Sequence, residues 1–275
     1  MLFCGRFRLA LDRPLVMGVL NITLDSFSDG GRYLDPAAAL ERAQRMIAEG
    51  ADLIDVGAES TRPGAQPTPE SAEMERIVPL VAKLAGASVP VSVDTRRPAV
   101  MRAAIAAGAS MVNDVSALRA PGAIEAVSGA AQPVAACLMH MQGEPATMQR
   151  TASYTDVVAE VKSFLAGRAR ACEAAGIARE RIVLDPGFGF GKTVAHNLVL
   201  LRELPRIVAL GYPVLAGLSR KSTIGAITGR EVGERVAGSL AAALAAVARG
   251  AKIVRVHDVR ETVDALKVWN AVQHG

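Results

Sequence analysis

One pattern constrains this chain more than any other. A short β-branched run, a polar loop and an amphipathic Ala/Leu-rich stretch follow one another, and the unit recurs along the whole sequence. Such alternation predicts parallel strands joined by crossover helices. The strand candidates are PLVMGVLN (14 to 21), DLIDVG (52 to 57), VPVSVD (89 to 94), SMVNDV (110 to 115), VAACLMH (134 to 140), RIVLDP (181 to 186), PVLAGLS (213 to 219) and KIVRVHD (252 to 258). Helical stretches fall at 36 to 49, 69 to 85, 98 to 107, 121 to 129, 154 to 175, 195 to 209, 233 to 249 and 260 to 273. In the first of these Asp35 can cap, Pro36 fits the first turn, Leu40, Ala43 and Ile47 share a face, and Gly50 supplies the stop.

Eight such units, with Gly-Ala repeated in EGADLIDVG, AGASMVNDV and RGAKIVRVH, predict a closed α/β ring, a (β/α)8 TIM barrel. An open doubly wound sheet is the competing architecture. At 275 residues and 51% hydrophobic, the chain is long enough to bury one large core, so residues 1–275 read as one domain.

Composition removes several classes of function. No window approaches 18 uninterrupted apolar residues, and Arg6, Arg8 and Asp12 occupy a start that a secretory signal would keep apolar. A cytoplasmic protein without a membrane segment is expected. Cys4, Cys137 and Cys172 are too few and too scattered for a disulfide framework or a zinc site, and read as buried small hydrophobes or bystanders. The net charge is +4, but no Lys/Arg run exceeds two residues and aromatics make up 4%, which argues against a nucleic-acid partner.

In a barrel the carboxyl ends of the strands converge on one mouth. Those ends are rich in polar groups here: Asn21, Glu59, Asp94, Asn113, His140, Asp185, Lys221, Arg255 and His257. Arg255 and His257 stand two apart on the last strand and point to the same side, with Lys252 nearby in sequence, a set suited to phosphate oxygens. The same residues can equally be read as a structural arginine paired with Asp258 and a satisfied core histidine. DPGFGFGKT (185 to 193) approaches a nucleotide-phosphate loop, but its required first glycine falls at Pro186, which has no N–H to offer. Its glycines are better suited to bringing backbone, with Phe188 or Phe190, close to a flat ligand, while the Asp185 carboxylate accepts from an amidine-like ring edge. Arg220 and Lys221 lie beyond the seventh strand, where a solvated pair is the simpler reading. The Gly/Pro/Ser-rich segments NITLDSFSDGG (21 to 31) and AESTRPGAQP (58 to 67) have the composition of lids. With no Cys/His cluster in view, the metal to expect, if any, is a weakly held, oxygen-ligated cation such as Mg²⁺, using substrate phosphates and one protein oxygen such as Asn21.

The segments NITLDSFSDGG, DVGAESTRPGA, SVDT, NDV, LMHMQGEPATMQ, DPGFGFGK, GLSRKS and RVHDV, in this order, resemble the dihydropteroate synthase family of pterin-binding barrels. The resemblance implies attack of 4-aminobenzoate on the methylene carbon of 6-hydroxymethyl-7,8-dihydropterin diphosphate, giving 7,8-dihydropteroate and pyrophosphate with Mg²⁺ assisting. By similarity Asp94, Asn113, Asp185 and Lys221 hold the pterin, and Val115, Met139, Phe188 and Gly217 line its pocket. Asn21, Arg255 and His257 take the diphosphate and the metal, with Thr61 near the diphosphate. Phe27, Ser28, Thr61, Arg62 and Pro63, with Phe190, Lys221 and Ser222, form the aminobenzoate side. A homodimer through helices of the C-terminal half, and inhibition by sulfonamides, are further implications.

Two positions depart from the family pattern. Leu24 stands where proline is usual, which predicts a looser first loop, and Ala58 stands where glycine is frequent. Methyltetrahydrofolate-dependent methyltransferases share such a pterin pocket but need no diphosphate site, so Asn21, Arg255, His257 and STRPG argue against them. A silent paralogue is expected to have lost some of these groups, and none is visibly missing.

Overall fold

The computed structural model of the chain describes residues 1–22, 36–59, 68–143, 148 and 152–274. It opens with an antiparallel hairpin, β1 (Leu2–Cys4) and β2 (Phe7–Leu9), that the apolar patterning did not reveal. Alternating strands and helices follow: β3 (Leu15–Asn21), α1 (Pro36–Ala48), β4 (Leu53–Gly57), α2 (Glu70–Leu84), β5 (Val91–Asp94), α3 (Pro98–Ala106), β6 (Met111–Asp114), α4 (Ala123–Ser128) and β7 (Ala135–Met139). The second half runs α5 (Val157–Ala174), β8 (Ile182–Asp185), α6 (Val194–Arg202), α7 (Pro205–Val208), β9 (Leu215–Ala216), α8 (Ser222–Thr228), α9 (Val236–Val247), β10 (Ile253–Val256) and α10 (Val259–His274).

Strands β3 to β10 form one parallel sheet in the order β8-β7-β6-β5-β4-β3-β10-β9. The ring closes where Leu184 bridges Val214, with the Leu184 N–H donating to the Pro213 carbonyl at 2.9 Å. The expected (β/α)8 barrel is therefore what forms. Each helix follows from local chemistry. In α1, Ala39, Ala43 and Met46 make the buried face, and Gly50 ends the turn at a φ of 101° that favours glycine. Asp35, its expected cap, lies outside the described residues. Asp156 caps α5 by accepting from the Val158 and Ala159 amides. The stretch 195 to 209 breaks into α6 and α7 because Pro205 has no N–H to continue a helix and instead starts the next one. Helix α8, in the segment after β9, was not anticipated.

Period-two alternation along the strands divides the core in two. Outward residues such as Val16, Ile54, Val93, Val112, Leu138, Leu184 and Val254 pack under the helices. Inward residues Leu15, Met17, Leu53, Met111, Ala135, Cys137, Val183, Leu215 and Ile253 fill the lower barrel, where Leu2 and Cys4 of the hairpin join them. The hairpin is a plug: the Gly5 N–H donates to the Pro133 carbonyl at 3.1 Å and Cys4 Sγ to the Ser110 carbonyl at 3.2 Å. All three cysteines are buried, which decides between the two readings left open for them.

Candidate active site

On five strands the residue two positions beyond the apolar filling is inward-facing by the same alternation: Asp55 after Leu53, Asn113 after Met111, Asp185 after Val183, Gly217 after Leu215 and Arg255 after Ile253. Parallel register sets Asp94 beside Asn113 and Met139 beside Asp185. The central contact is ionic. Arg255 donates from Nε to Asp55 Oδ2 at 2.6 Å and from Nη2 to Asp94 Oδ2 at 2.8 Å, while Asn113 Nδ2 donates to the same Asp55 oxygen at 3.0 Å. Burial opposes the Arg255 charge, but the two carboxylates outweigh it and raise the group above its ordinary value. Burial pushes the Asp94 carboxyl up, against the pull of Arg255.

Asp185 completes the acidic set. Its carboxyl is raised by burial, an effect moderated by Lys221, by the Gly187 amide donating to Oδ1 at 2.7 Å, and by Arg255. Lys221 Nζ donates to the Phe188 carbonyl and stands 4.6 Å from the centroid of the Phe190 ring. Burial lowers its ammonium to about 8, with Asp185 working the other way. Val115, Met139, Met141 and Met148 form an apolar wall against which Phe190 packs. Phe188 itself is buried in the outer core, so the group it contributes near Lys221 is its carbonyl.

The glycines after β8, expected to bring backbone close to a flat ligand, bring the loop close to the backbone that follows β7. A β carbon on Gly187, at a φ of 69°, would stand 1.9 Å from the His140 carbonyl oxygen, and one on Gly191 would stand 2.4 Å from that of Gln142. Beneath it runs Lys192, buried, with Nζ donating to the Gly187 carbonyl at 2.9 Å and the Phe190 carbonyl at 3.0 Å, and 3.0 Å from His140 Nδ1. This lysine ties the loop together from inside, a role unlike that of a phosphate-loop lysine. Burial lowers it to about 7 and lowers His140 to about 3, so His140 is a neutral partner in the loop support.

His257 is the residue two beyond Arg255, with its N–H 3.2 Å and Nδ1 3.0 Å from Ser219 Oγ. Beside it and Asn21 opens a cavity of about 370 Å³ lined also by Arg42, Arg45, Arg220 and Asp258. Among the described residues no group of three His, Cys, Asp or Glu side chains stands together to hold a metal. Asn21, the last residue of β3, offers an amide oxygen of the kind a hard cation takes as a ligand. Asn21 Oδ1 lies 3.6 Å from where a β carbon on Gly57 would be, so glycine leaves it room.

Several expectations are redrawn. Lys252 precedes β10 and so sits at the end of the barrel opposite the site, its amide donating to the Val214 carbonyl. Asp258 pairs with Arg220, whose Nε donates at 3.0 Å, and not with Arg255, so Arg220 is a half-buried partner instead of a solvated one. Glu59 turns to Arg96 and Arg97, each at 3.3 Å. Ser222 is the exposed first residue of α8. Phe27, Ser28, Thr61, Arg62 and Pro63, with Leu24, lie outside the described residues. Asp55, Ser219 and Lys192 were missed as site or support residues. Asp55 carried a signal, since a carboxylate in the middle of the apolar strand LIDVG, in phase with Leu53, must find a partner inside the barrel.

An acceptor-lined mouth with cations set among its carboxylates, on a (β/α)8 scaffold, defines a barrel enzyme for a flat, donor-edged, anion-bearing ligand. The pterin binding enzyme family matches residues 17–257. The chain is 53% identical to the dihydropteroate synthase of Neisseria meningitidis serogroup B over 274 residues, covering 98% of this chain and 96% of that one. Among solved structures it is similar to Xanthomonas albilineans dihydropteroate synthase with 4-aminobenzoic acid, at a TM-score of 0.90 and 55% identity over 97% of this chain and 96% of that one. It is likewise similar to the Burkholderia cenocepacia dihydropteroate synthase complexed with 7,8-dihydropteroate, at a TM-score of 0.89 and 54% identity over 99% and 96%. The chain belongs to the dihydropteroate synthase family of pterin binding enzymes.

Proposed function

We propose that the mouth carries out the family reaction of folate biosynthesis, joining 4-aminobenzoate to 6-hydroxymethyl-7,8-dihydropterin diphosphate to give 7,8-dihydropteroate and pyrophosphate. The observation that carries this reading is the joint placement of Asp94, Asn113 and Asp185 with Arg255 and Lys221 at the carboxyl end of the barrel. The amine nitrogen forms a bond to the pterin methylene, the carbon–oxygen bond to the diphosphate breaks, its electron pair leaves with pyrophosphate, and the nitrogen gives up one proton. An arylamine is unprotonated at neutral pH and needs no strong base, so the difficult part is the leaving group. Asp94, Asn113 and Asp185 hold the electron-rich ring, and the two carboxylates stabilise positive charge that spreads into it as the methylene loses its diphosphate. That favours a dissociative substitution. Arg255 and His257 meet the departing phosphates, an electrostatic role commonly worth several kcal/mol. Mg²⁺, when bound with Asn21 as protein ligand, supplies further charge neutralisation on the phosphates. Lys221 stands over the Phe190 ring and within the field of Asp185, suited to the aminobenzoate carboxylate.

Further parts of the reading are a homodimer, a cytoplasmic location and competition between sulfonamides and 4-aminobenzoate. Exposed Val194 and Leu198 on α6 and Ile227 on α8, two helices that pack together, support association through the C-terminal half. Light scattering giving a monomer would remove the dimer. No helix among the described residues is long and apolar enough to cross a membrane. The function is tested by incubating the purified protein with pterin diphosphate, 4-aminobenzoate and Mg²⁺. Pteroate formation that depends on the amine is expected; pyrophosphate release without amine, or no pteroate, overturns the reading. Asp185→Asn is expected to weaken binding of the pterin diphosphate selectively.

A further inference from the structure

We infer that Asp55, which the barrel keeps below the ligand, is a positioning residue that sets the hydrogen-bonding polarity of the pterin pocket by orienting the Asn113 amide and the Arg255 guanidinium. The inference rests on the substrate reading above and assigns a role to a residue that touches neither substrate.

Burial gives the depths. The Asp55 side chain is fully buried, whereas those of Arg255 and Asp94 keep 19% and 20% of their surface exposed, so Asp55 is the deepest of the three. Its Oδ2 accepts from Arg255 Nε at 2.6 Å, a donor that cannot act otherwise, so the same oxygen meets Asn113 as an acceptor. Asn113 must then turn its Nδ2 downward, as the 3.0 Å contact shows. The oxygen and nitrogen of an amide diverge from one carbon, so an Nδ2 turned to Asp55 leaves the Asn113 carbonyl oxygen directed away from that carboxylate, available to a ligand. The reverse orientation would set two acceptors against each other and offer the ligand a donor.

The same carboxylate fixes Arg255. With Nε committed to Asp55 and Nη2 to Asp94, Nη1 remains for a ligand on the open side. The pocket thus shows three acceptors, from Asp94, Asn113 and Asp185, to an incoming ring, which suits a heterocycle edge carrying N–H groups. A second observation separates this from ordinary core satisfaction. Asp55 Oδ1 is buried without a partner among the described residues, so the whole anchoring of this carboxylate passes through the one oxygen that orients Asn113 and Arg255. A buried acceptor left unpaired is costly, and a residue serving stability alone is not expected to keep one.

The test is a binding and kinetic comparison of wild type, Asp55→Asn, and the exchanged double variant Asp55→Asn with Asn113→Asp, with folding followed by thermal unfolding. Asp55→Asn frees the position 113 amide to flip, and is expected to weaken pterin diphosphate binding by at least about tenfold. It is expected to raise KM for the pterin diphosphate more than KM for 4-aminobenzoate. In the double variant the carboxylate at position 113 accepts from the amide at position 55 and still shows an acceptor to the mouth, so most of the lost pterin affinity should return. Unchanged pterin affinity in Asp55→Asn overturns the inference, as does a loss that the exchange deepens. Should Asp55→Asn not fold, Asn113→Ser removes the oriented amide while sparing the Asp55–Arg255 pair. The same selective loss is expected there, and unchanged affinity overturns the inference equally. Wild type that binds no pterin diphosphate overturns the substrate reading; wild type that binds it beside an unaltered Asp55→Asn overturns this inference alone.

Discussion

The lower and upper halves of the barrel interior are built on the same strands, two residues apart, and could hardly differ more. Below, Leu53, Met111, Val183, Leu215 and Ile253 meet Leu2 of the hairpin in an apolar filling. Above, Asp55, Asn113, Asp185, Gly217 and Arg255 take the next inward position of each strand. The lower layer stabilises by burial, at roughly 1.5–3 kcal/mol for a fully buried leucine. The upper layer holds buried charges that offset one another only as a set, and a set of that kind contributes little to stability while it is intact. The comparison teaches that the filling should respond to substitution in stability alone, and the mouth in both stability and function.

Arg255→Ala is the sharpest way to break the contrast. It leaves Asp55 buried beside Asp94 without a cation, and should lower stability by about 3–5 kcal/mol in urea unfolding and activity by at least about 100-fold. Because the guanidinium bonds to Asp55 and Asp94, its removal should disturb the pterin as well as the diphosphate. A variant as stable as wild type would show that the mouth is not electrostatically closed on itself.

Leu2→Ala tests the other layer. Loss of a fully buried side chain from the plug should cost on the order of 3 kcal/mol while leaving kcat/KM of the folded protein unchanged. A change in kcat/KM would mean that the filling and the mouth are coupled.

Gly187→Ala has a smaller expected effect, placed at the boundary. With a φ of 69° and the His140 carbonyl only 1.9 Å from the new carbon, the loop must shift. A strain of about 1–3 kcal/mol should appear as weaker pterin binding in calorimetry, and unaltered binding would detach this loop from the site.

The smallest effect is one of pH. Lys221 loses its charge as pH rises through about 8. A ligand carboxylate prefers the protonated form, so above that value KM for 4-aminobenzoate should rise toward tenfold per pH unit, about 1.4 kcal/mol. The slope should vanish in Lys221→Met; a slope that survives assigns the titration to another group.

Most of the scaffold was legible because periodicity is local. The run LVMGVLN needs no knowledge of its neighbours to read as a buried strand, nor does Pro36 to open a helix. Polar strand ends such as Asp94, Asn113, Asp185 and Arg255 were legible for the same reason, since charge at the end of an apolar run stands out. The hairpin was not, because β1 and β2 are three residues each and gain their stability only by covering the barrel end. Helix α8 likewise lies in a segment that reads as loop.

By itself, then, the order of residues determined eight parallel strands, their inward and outward faces, and the family to which the polar tips belong. Only the closed barrel decided which tip meets which. Arg255 lies 200 positions from Asp55 and 161 from Asp94. Closure of the ring brings all three within hydrogen-bond distance, sends Lys252 to the opposite end and turns Glu59 toward Arg96. Pairing across the barrel depends on strand register and tilt, quantities set by the whole sheet and carried by no single segment.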